Sequence, residues 1–318
     1  MGIKTNLKDR LPELVIRLIG ALLFLGGIIS FILGPIEIYS YSLFTNGGRF
    51  YYEGFGFGSL MFGIITIQVI GYYAIALIAI PLGWGHMRLR KRVQKICLTL
   101  ICDWFIIGLP LTIIAFSMLI TSKDISISSI PVLILAFILL YPVSPILAYC
   151  FYQSNRASDA LKRNSISAAW IDKPLLILVA SSLMIFFSVG SHLPLLFNGI
   201  FPFFNHFITG LEGYIVIGIC ILLFAFLAWG IYQQSLLSWY GSILFLSFLI
   251  ASSASAFLQV SPLEIFSILD FAEIEYNAVN NIPLQGYMFA LFFSLPLVIC
   301  LVLILSSRKH HAPIRSNV

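Results

Sequence analysis

Long apolar runs recur along the chain, separated by short polar or aromatic connections. Eight runs are long enough to matter, at about Leu18–Ile36, Gly58–Leu82, Ile96–Ile120, Ile130–Phe151, Pro174–Leu196, Tyr214–Trp229, Leu236–Leu258 and Tyr287–Leu305. A helix needs roughly 20 apolar residues to cross a hydrocarbon layer ~30 Å thick. Spanning β-strands would instead alternate over ~10 residues. These runs are continuous, and lipid leaves no water to satisfy exposed backbone groups, so helices are the fit. The pattern predicts an all-α polytopic membrane protein of about eight transmembrane helices. The first run follows Lys4, Lys8 and Arg10 as a signal peptide would. It is too long for a signal-peptide core, and Gly34-Pro35-Ile36-Glu37 is a poor cleavage site, so we read it as a retained span.

Composition agrees. The 318 residues are 60% hydrophobic and only 10% charged, with a mean hydropathy of +1.00. Soluble domains carry about 25% charged residues. The charges are sorted by connection. Lys4, Lys8, Arg10 and Arg17 precede or open the first span. Arg88, Arg90, Lys91, Arg92 and Lys95 join the second to the third. Arg156, Lys162, Arg163 and Lys173 join the fourth to the fifth, and Arg308, Lys309 and Arg315 follow the eighth. Only Arg49 and Lys123 fall on the opposite side. The positive-inside rule then places both termini in the cytoplasm. Glu37, Glu53, Asp124, Glu212, Glu264, Asp270, Glu273 and Glu275 fall outside, so the net charge of +5 is a topology signal and not a nucleic-acid footprint. Arg88, Arg90, Lys91, Arg92 and Lys95 are expected to meet anionic lipid headgroups.

The organisation reads as two four-helix halves, residues 1–155 and 174–318, joined by a cytoplasmic linker at 156–173. Leu82-Gly83-Trp84-Gly85 and Leu227-Ala228-Trp229-Gly230 sit at equivalent span ends. They suggest a 4+4 parallel repeat, because four spans return the chain to the same side. Three outer connections stand out. Gly34–Phe57 is rich in Tyr, Phe and Gly and reads as an aromatic interface belt. Leu193–Gly213 is apolar although it lies between spans, which suits an interfacial segment, re-entry or a protein partner. In Gln259–Gly286, Ser261-Pro262-Leu263-Glu264 has the form of a capping box. We expect a short amphipathic helix there on the outer face, with Leu263, Phe266, Leu269 and Ile274 on its apolar side.

Candidate chemistry is sparse. Asp103 is the one carboxylate well inside a span. An intramembrane charge marks a functional site by default, but an ion pair with Arg17 or a contact to Lys95 would make it structural. Pro142 and Pro145 break the fourth span and free backbone carbonyls there. His192, His206 and Glu212 lie near one another in the sequence without a metal-ligand spacing. His86 is expected at the surface beside Arg88, among headgroups. Cys97, Cys102, Cys150, Cys220 and Cys300 all lie within spans and read as small apolar side chains. No span interior holds a histidine for haem. No zinc, phosphate-loop or serine-elbow motif is present, so no cofactor, no metal and no enzyme activity is implied. The first functional reading is an accessory or structural subunit of a membrane complex, with the apolar outer loops facing a protein partner. The second is a transporter for a small or lipophilic solute, its pathway near Asp103 and the Tyr141–Pro145 kink.

Overall fold

The computed structural model describes residues 7–51, 56, 59–121, 129–162, 173–269 and 285–311. Lys4, Glu53, Lys123, Asp124, Arg163, Asp270, Glu273, Ile274, Glu275 and Arg315 lie outside the described residues, as does most of the expected linker. The fold is helical, and eight of its helices are long and apolar enough to cross a membrane. It is a polytopic membrane protein.

The helices are α1 (Leu7–Ser42), α2 (Leu60–Met87), α3 (Arg92–Thr121), α4 (Ile130–Ile138), α5 (Ser144–Gln153), α6 (Asn155–Lys162), α7 (Leu175–Gly190), α8 (Gly210–Tyr232), α9 (Leu236–Gln259), α10 (Pro262–Ile268) and α11 (Gly286–Ser306). A π-helical turn at Leu139–Val143 joins α4 to α5, making one span of the two. By internal contacts the chain forms two compact units. One comprises residues 1–101 and 146–172, the other residues 102–145 and 173–318.

In the first unit α1 and α2 run side by side along a glycine seam. A Cβ placed on Gly20, Gly27 or Gly34 would sit 2.5–2.7 Å from His86, Ile80 or Tyr73 respectively. The glycines recur every seven residues, so they stay on one helix face and let the backbones approach, as small residues do between membrane helices. Larger side chains would push α1 off α2.

The core of the second unit is built from α7, α8, α9 and α11, with Leu183, Met184, Ile217, Leu246, Cys300 and Ile304 almost fully buried. Cys102, Phe105, Ile106 and Ile107 of α3 pack on this core. Trp239 donates its indole N–H to the Ile304 carbonyl at 2.7 Å, satisfying the polar end of a buried aromatic. The buried serines of these helices mostly satisfy themselves: Ser181 donates to Ile177 and Ser253 to Leu249.

The apolar Leu193–Gly213 connection holds the chain's two described strands. Phe201–Phe203 pairs antiparallel with His206–Ile208 around Phe204-Asn205. Ser252 on α9 fastens the hairpin, donating to the Pro202 carbonyl at 2.7 Å and accepting from the Phe204 amide at 3.2 Å. Phe201 is buried, and Phe203 and Phe204 pack against Phe248 of α9. The segment is therefore a hairpin laid on this unit's own helices.

Two corners share one geometry. After α2, Leu89 turns left-handed (φ +52°), its N–H bonds to the His86 carbonyl, and the Arg90 N–H bonds to Gly85. After α8, Gln234 turns left-handed (φ +62°), its N–H bonds to Ile231, and the Ser235 N–H bonds to Gly230. Both are Schellman closures made without glycine at the left-handed position. In both, the glycine that accepts the last bond faces the next helix closely: a Cβ on Gly85 would lie 2.5 Å from Val93, and one on Gly230 would run into Ser238.

The capping box of α10 is formed. Glu264 N–H donates to Ser261 Oγ at 3.2 Å, and Ser261 N–H donates to Glu264 Oε2 at 2.8 Å. The side of this helix that is covered carries Ile265, buried against Phe257 and Ala290. Leu263, expected on the apolar side, is exposed.

Candidate functional site

Asp103 lies on α3 one turn before Ile106, on the side that faces the second unit's core, and is 9% exposed. Its neighbours are Ser182 of α7, Cys300 of α11 and the adjacent Cys102. Ser182 sends its hydroxyl proton to the Val179 carbonyl at 3.0 Å. Among the described residues, Asp103 Oδ1 is buried without a hydrogen-bond partner. Arg17, the partner considered for Asp103, belongs to the first unit. Arg17 donates to Glu13 one turn earlier on α1, at 2.9 Å, and its side chain is 55% exposed. Lys95 starts the same helix as Asp103, and its carbonyl accepts from Thr99.

The break in the fourth span belongs to the same unit. Pro142 and Pro145 have no N–H to give, and the backbone answers with a π turn. The Ser144 amide reaches back five residues to the Leu139 carbonyl, and the Ser144 hydroxyl donates to the Leu140 carbonyl. The carbonyls loosened by the prolines are thereby partly satisfied. Pro145 is buried and Pro142 half-buried. Tyr141, displaced by the turn, seats its ring on Gly108 of α3: a Cβ there would be 2.5 Å from the ring. Phe137 stacks on Tyr141 at 6.0 Å between centroids. Asp103 and the π turn thus address the same helix, α3, a short way apart.

His86 corrects the sequence expectation. It is fully buried, not among headgroups. Its Nδ1 lies 2.8 Å from the Leu82 carbonyl and its Nε2 lies 2.6 Å from the Tyr152 hydroxyl. A carbonyl only accepts, so the hydrogen sits on Nδ1 and Tyr152 donates to Nε2, an assignment made from the network. Cys97 Sγ lies 3.5 Å from the same Nε2, and Gln94 donates to the Tyr152 carbonyl at 2.7 Å. Cys97 is therefore more than an apolar packer. The cluster ties α2, α3 and the end of α5 together within the first unit. Tyr152 is 66 residues from His86 in sequence, so spacing could not pair them. A usable signal was the pair of glycines just before His86, Gly83 and Gly85, which implies close packing at this helix end.

The other candidates are ordinary in geometry. Arg88, Arg90 and Lys91 are exposed, and Arg92 and Lys95 half-buried. Arg88 lies over the Trp84 ring, 4.6 Å from its centre. His192 Nδ1 is taken by the Ser188 and Val189 carbonyls of its own helix. His206 is exposed in the hairpin beside Phe203. Among the described residues no three His, Cys, Asp or Glu side chains converge as a metal set, and all five cysteines are free thiols. No known protein family matches the chain, no curated protein is similar to it, and no solved structure matches it.

Proposed function

We propose that the protein is a transporter for a small or lipophilic solute and that Asp103 is its polar contact. One observation carries this: a carboxyl oxygen buried among membrane helices with no partner among the described residues. Such a group costs about 1–3 kcal/mol or more when left unmade, and polar groups retained at that cost inside membranes mark ligand or ion pathways. The unmet oxygen suits a solute that brings a hydrogen-bond donor or a positive charge. The π turn of the fourth span seats Tyr141 on α3, the helix that carries Asp103, and π turns and broken helices accompany functional sites in membranes.

The orientation belongs to this reading. The sorting of basic residues puts both termini in the cytoplasm. The basic loops then carry Arg88, Arg90, Lys91, Arg92 and Lys95 to anionic headgroups. The two Schellman corners support the 4+4 parallel repeat, because their hydrogen bonds correspond atom for atom at Gly85 and Gly230.

The test uses purified protein in liposomes and a lipophilic cation, tetraphenylphosphonium, as probe. Wild-type vesicles should accumulate it under an imposed potential faster than protein-free vesicles, and Asp103→Asn should abolish the difference. A rate unchanged by Asp103→Asn would overturn the assignment.

A second reading, a subunit of a larger assembly, rests on the fourth span, of which almost nothing is buried. Extraction in mild detergent should then yield a particle well above 35.5 kDa containing other chains, and a solitary monomer would refute it.

A further inference from the structure

A groove runs between α7 and α8 within the second unit. Its volume is about 310 Å³, at the low end of the ~300–1,000 Å³ typical of small-molecule sites. Ser181 and Ser188 from α7 and Ala225, Ala228, Trp229 and Tyr232 from α8 line it. The small residues make the hollow, and the two aromatics close the end at which α8 finishes. The groove opens sideways, since Ile185 beside it and Trp229 are 55% and 63% exposed. In a membrane protein that opening faces lipid tails.

Its serine hydroxyls are already engaged. Ser181 donates to the Ile177 carbonyl at 2.8 Å, and Ser188 donates across to the Ile221 carbonyl of α8 at 3.0 Å. A polar solute would find neither serine hydroxyl free there, whereas a hydrocarbon chain meets mostly apolar side chains. At the aromatic end stands a cation. Lys173 holds its ammonium 5.7 Å from the centre of the Tyr232 ring and donates to Gln234 Oε1 at 3.1 Å. An apolar trough that opens toward the bilayer, ends in Trp and Tyr and is topped by a lysine has the polarity profile of one phospholipid. Interfacial aromatics sit at headgroup depth.

We propose that this groove binds a single anionic phospholipid, one acyl chain lying between α7 and α8 and the phosphate meeting Lys173. The site is independent of Asp103. It rests on the orientation above only for the leaflet that supplies the lipid.

The experiment is native mass spectrometry of the full chain, purified and equilibrated with micelles containing equal phosphatidylglycerol and phosphatidylcholine. Wild type should retain one phosphatidylglycerol in preference to phosphatidylcholine. Lys173→Gln should lower that preference about fivefold, as expected for one cation near a headgroup, and Lys173→Arg should keep it. Ala225→Phe, at an exposed position that tolerates bulk without disturbing the core, should lose the retained lipid of either kind while the protein stays monodisperse. Asp103→Asn should leave retention unchanged, which separates this proposal from the transport reading. Equal retention of the two lipids by wild type, or full retention by Ala225→Phe, would overturn it.

Discussion

Tyr152→Phe removes one oxygen from a buried site and asks what that oxygen is worth. His86 is fully buried and Tyr152 4% exposed, so water cannot replace the lost donor. His86 Nε2, now facing a ring edge, would carry the cost of an unmet buried acceptor, about 1–3 kcal/mol. Hydrogen bonds between membrane helices measure lower, about 0.6 kcal/mol on average and ~1.7 at most. The geometry says why the single change should fall near the low end. Cys97 Sγ is already 3.5 Å from the same nitrogen, and a thiol is a weak donor that can step in. We expect Tyr152→Phe alone to cost about 1 kcal/mol. With Cys97→Ala added, the cost should rise toward ~2–3 kcal/mol, more than the two single changes together. In a His86→Ala background Tyr152→Phe should cost little, because no acceptor is left wanting. The assay is reversible unfolding in mixed micelles with increasing dodecyl sulfate, followed by circular dichroism, as a double-mutant cycle. Additivity of Tyr152→Phe and Cys97→Ala within about 0.3 kcal/mol would refute the shared-acceptor reasoning.

Two further predictions use the same assay. Gly230→Ala should destabilise by about 1–3 kcal/mol, as overpacking does, because its Cβ would run into Ser238, which is itself buried. Gly85→Ala should cost less, since it meets only a valine methyl, and Gly230→Ala should recover in part with Ser238→Gly. An equal cost at both glycines would count against the corner geometry. His311, just past α11, is 3% exposed, and burial pushes its imidazole below the ordinary 6.5, against the opposing effect of the Gln234 and Ser235 backbone. The unfolded chain then takes up protons first, so stability should hold above pH 6.5 and fall as the pH drops below it. His311→Gln should flatten that part of the profile, and an unchanged slope would show that His311 does not contribute.

The spans were legible because the bilayer imposes a length that few other structures demand, and most helices contain their apolar run, although α7 stops at Gly190, short of Leu196. The helix ends ran longer than the runs, as at α1 and α8, because polar and aromatic residues such as Tyr39 and Tyr232 continue a helix without adding hydropathy. The hairpin at Phe201–Ile208 was not legible. Its residues are nearly all apolar, so no alternation marks strands, and its anchor, Ser252, lies on another element. Asp103 was legible as a carboxylate at membrane depth. That Oδ1 lacks a partner was not, because depth along a helix says nothing about which side faces Ser182 and Cys300. His86 misled for the same reason. A histidine beside Arg88 at a helix end reads as solvated until Tyr152 is brought to it by the fold.

The most direct test of the account is the stability of Asp103→Asn measured beside the proposed uptake, on one preparation. A carboxyl kept for a ligand is strained when empty, so the neutral amide should unfold no more easily than wild type while uptake is lost. A carboxyl held in a buried ion pair would behave otherwise, and removing its charge would cost about 3–5 kcal/mol. A destabilisation of that size, with uptake per folded molecule intact, would contradict the proposed role of Asp103.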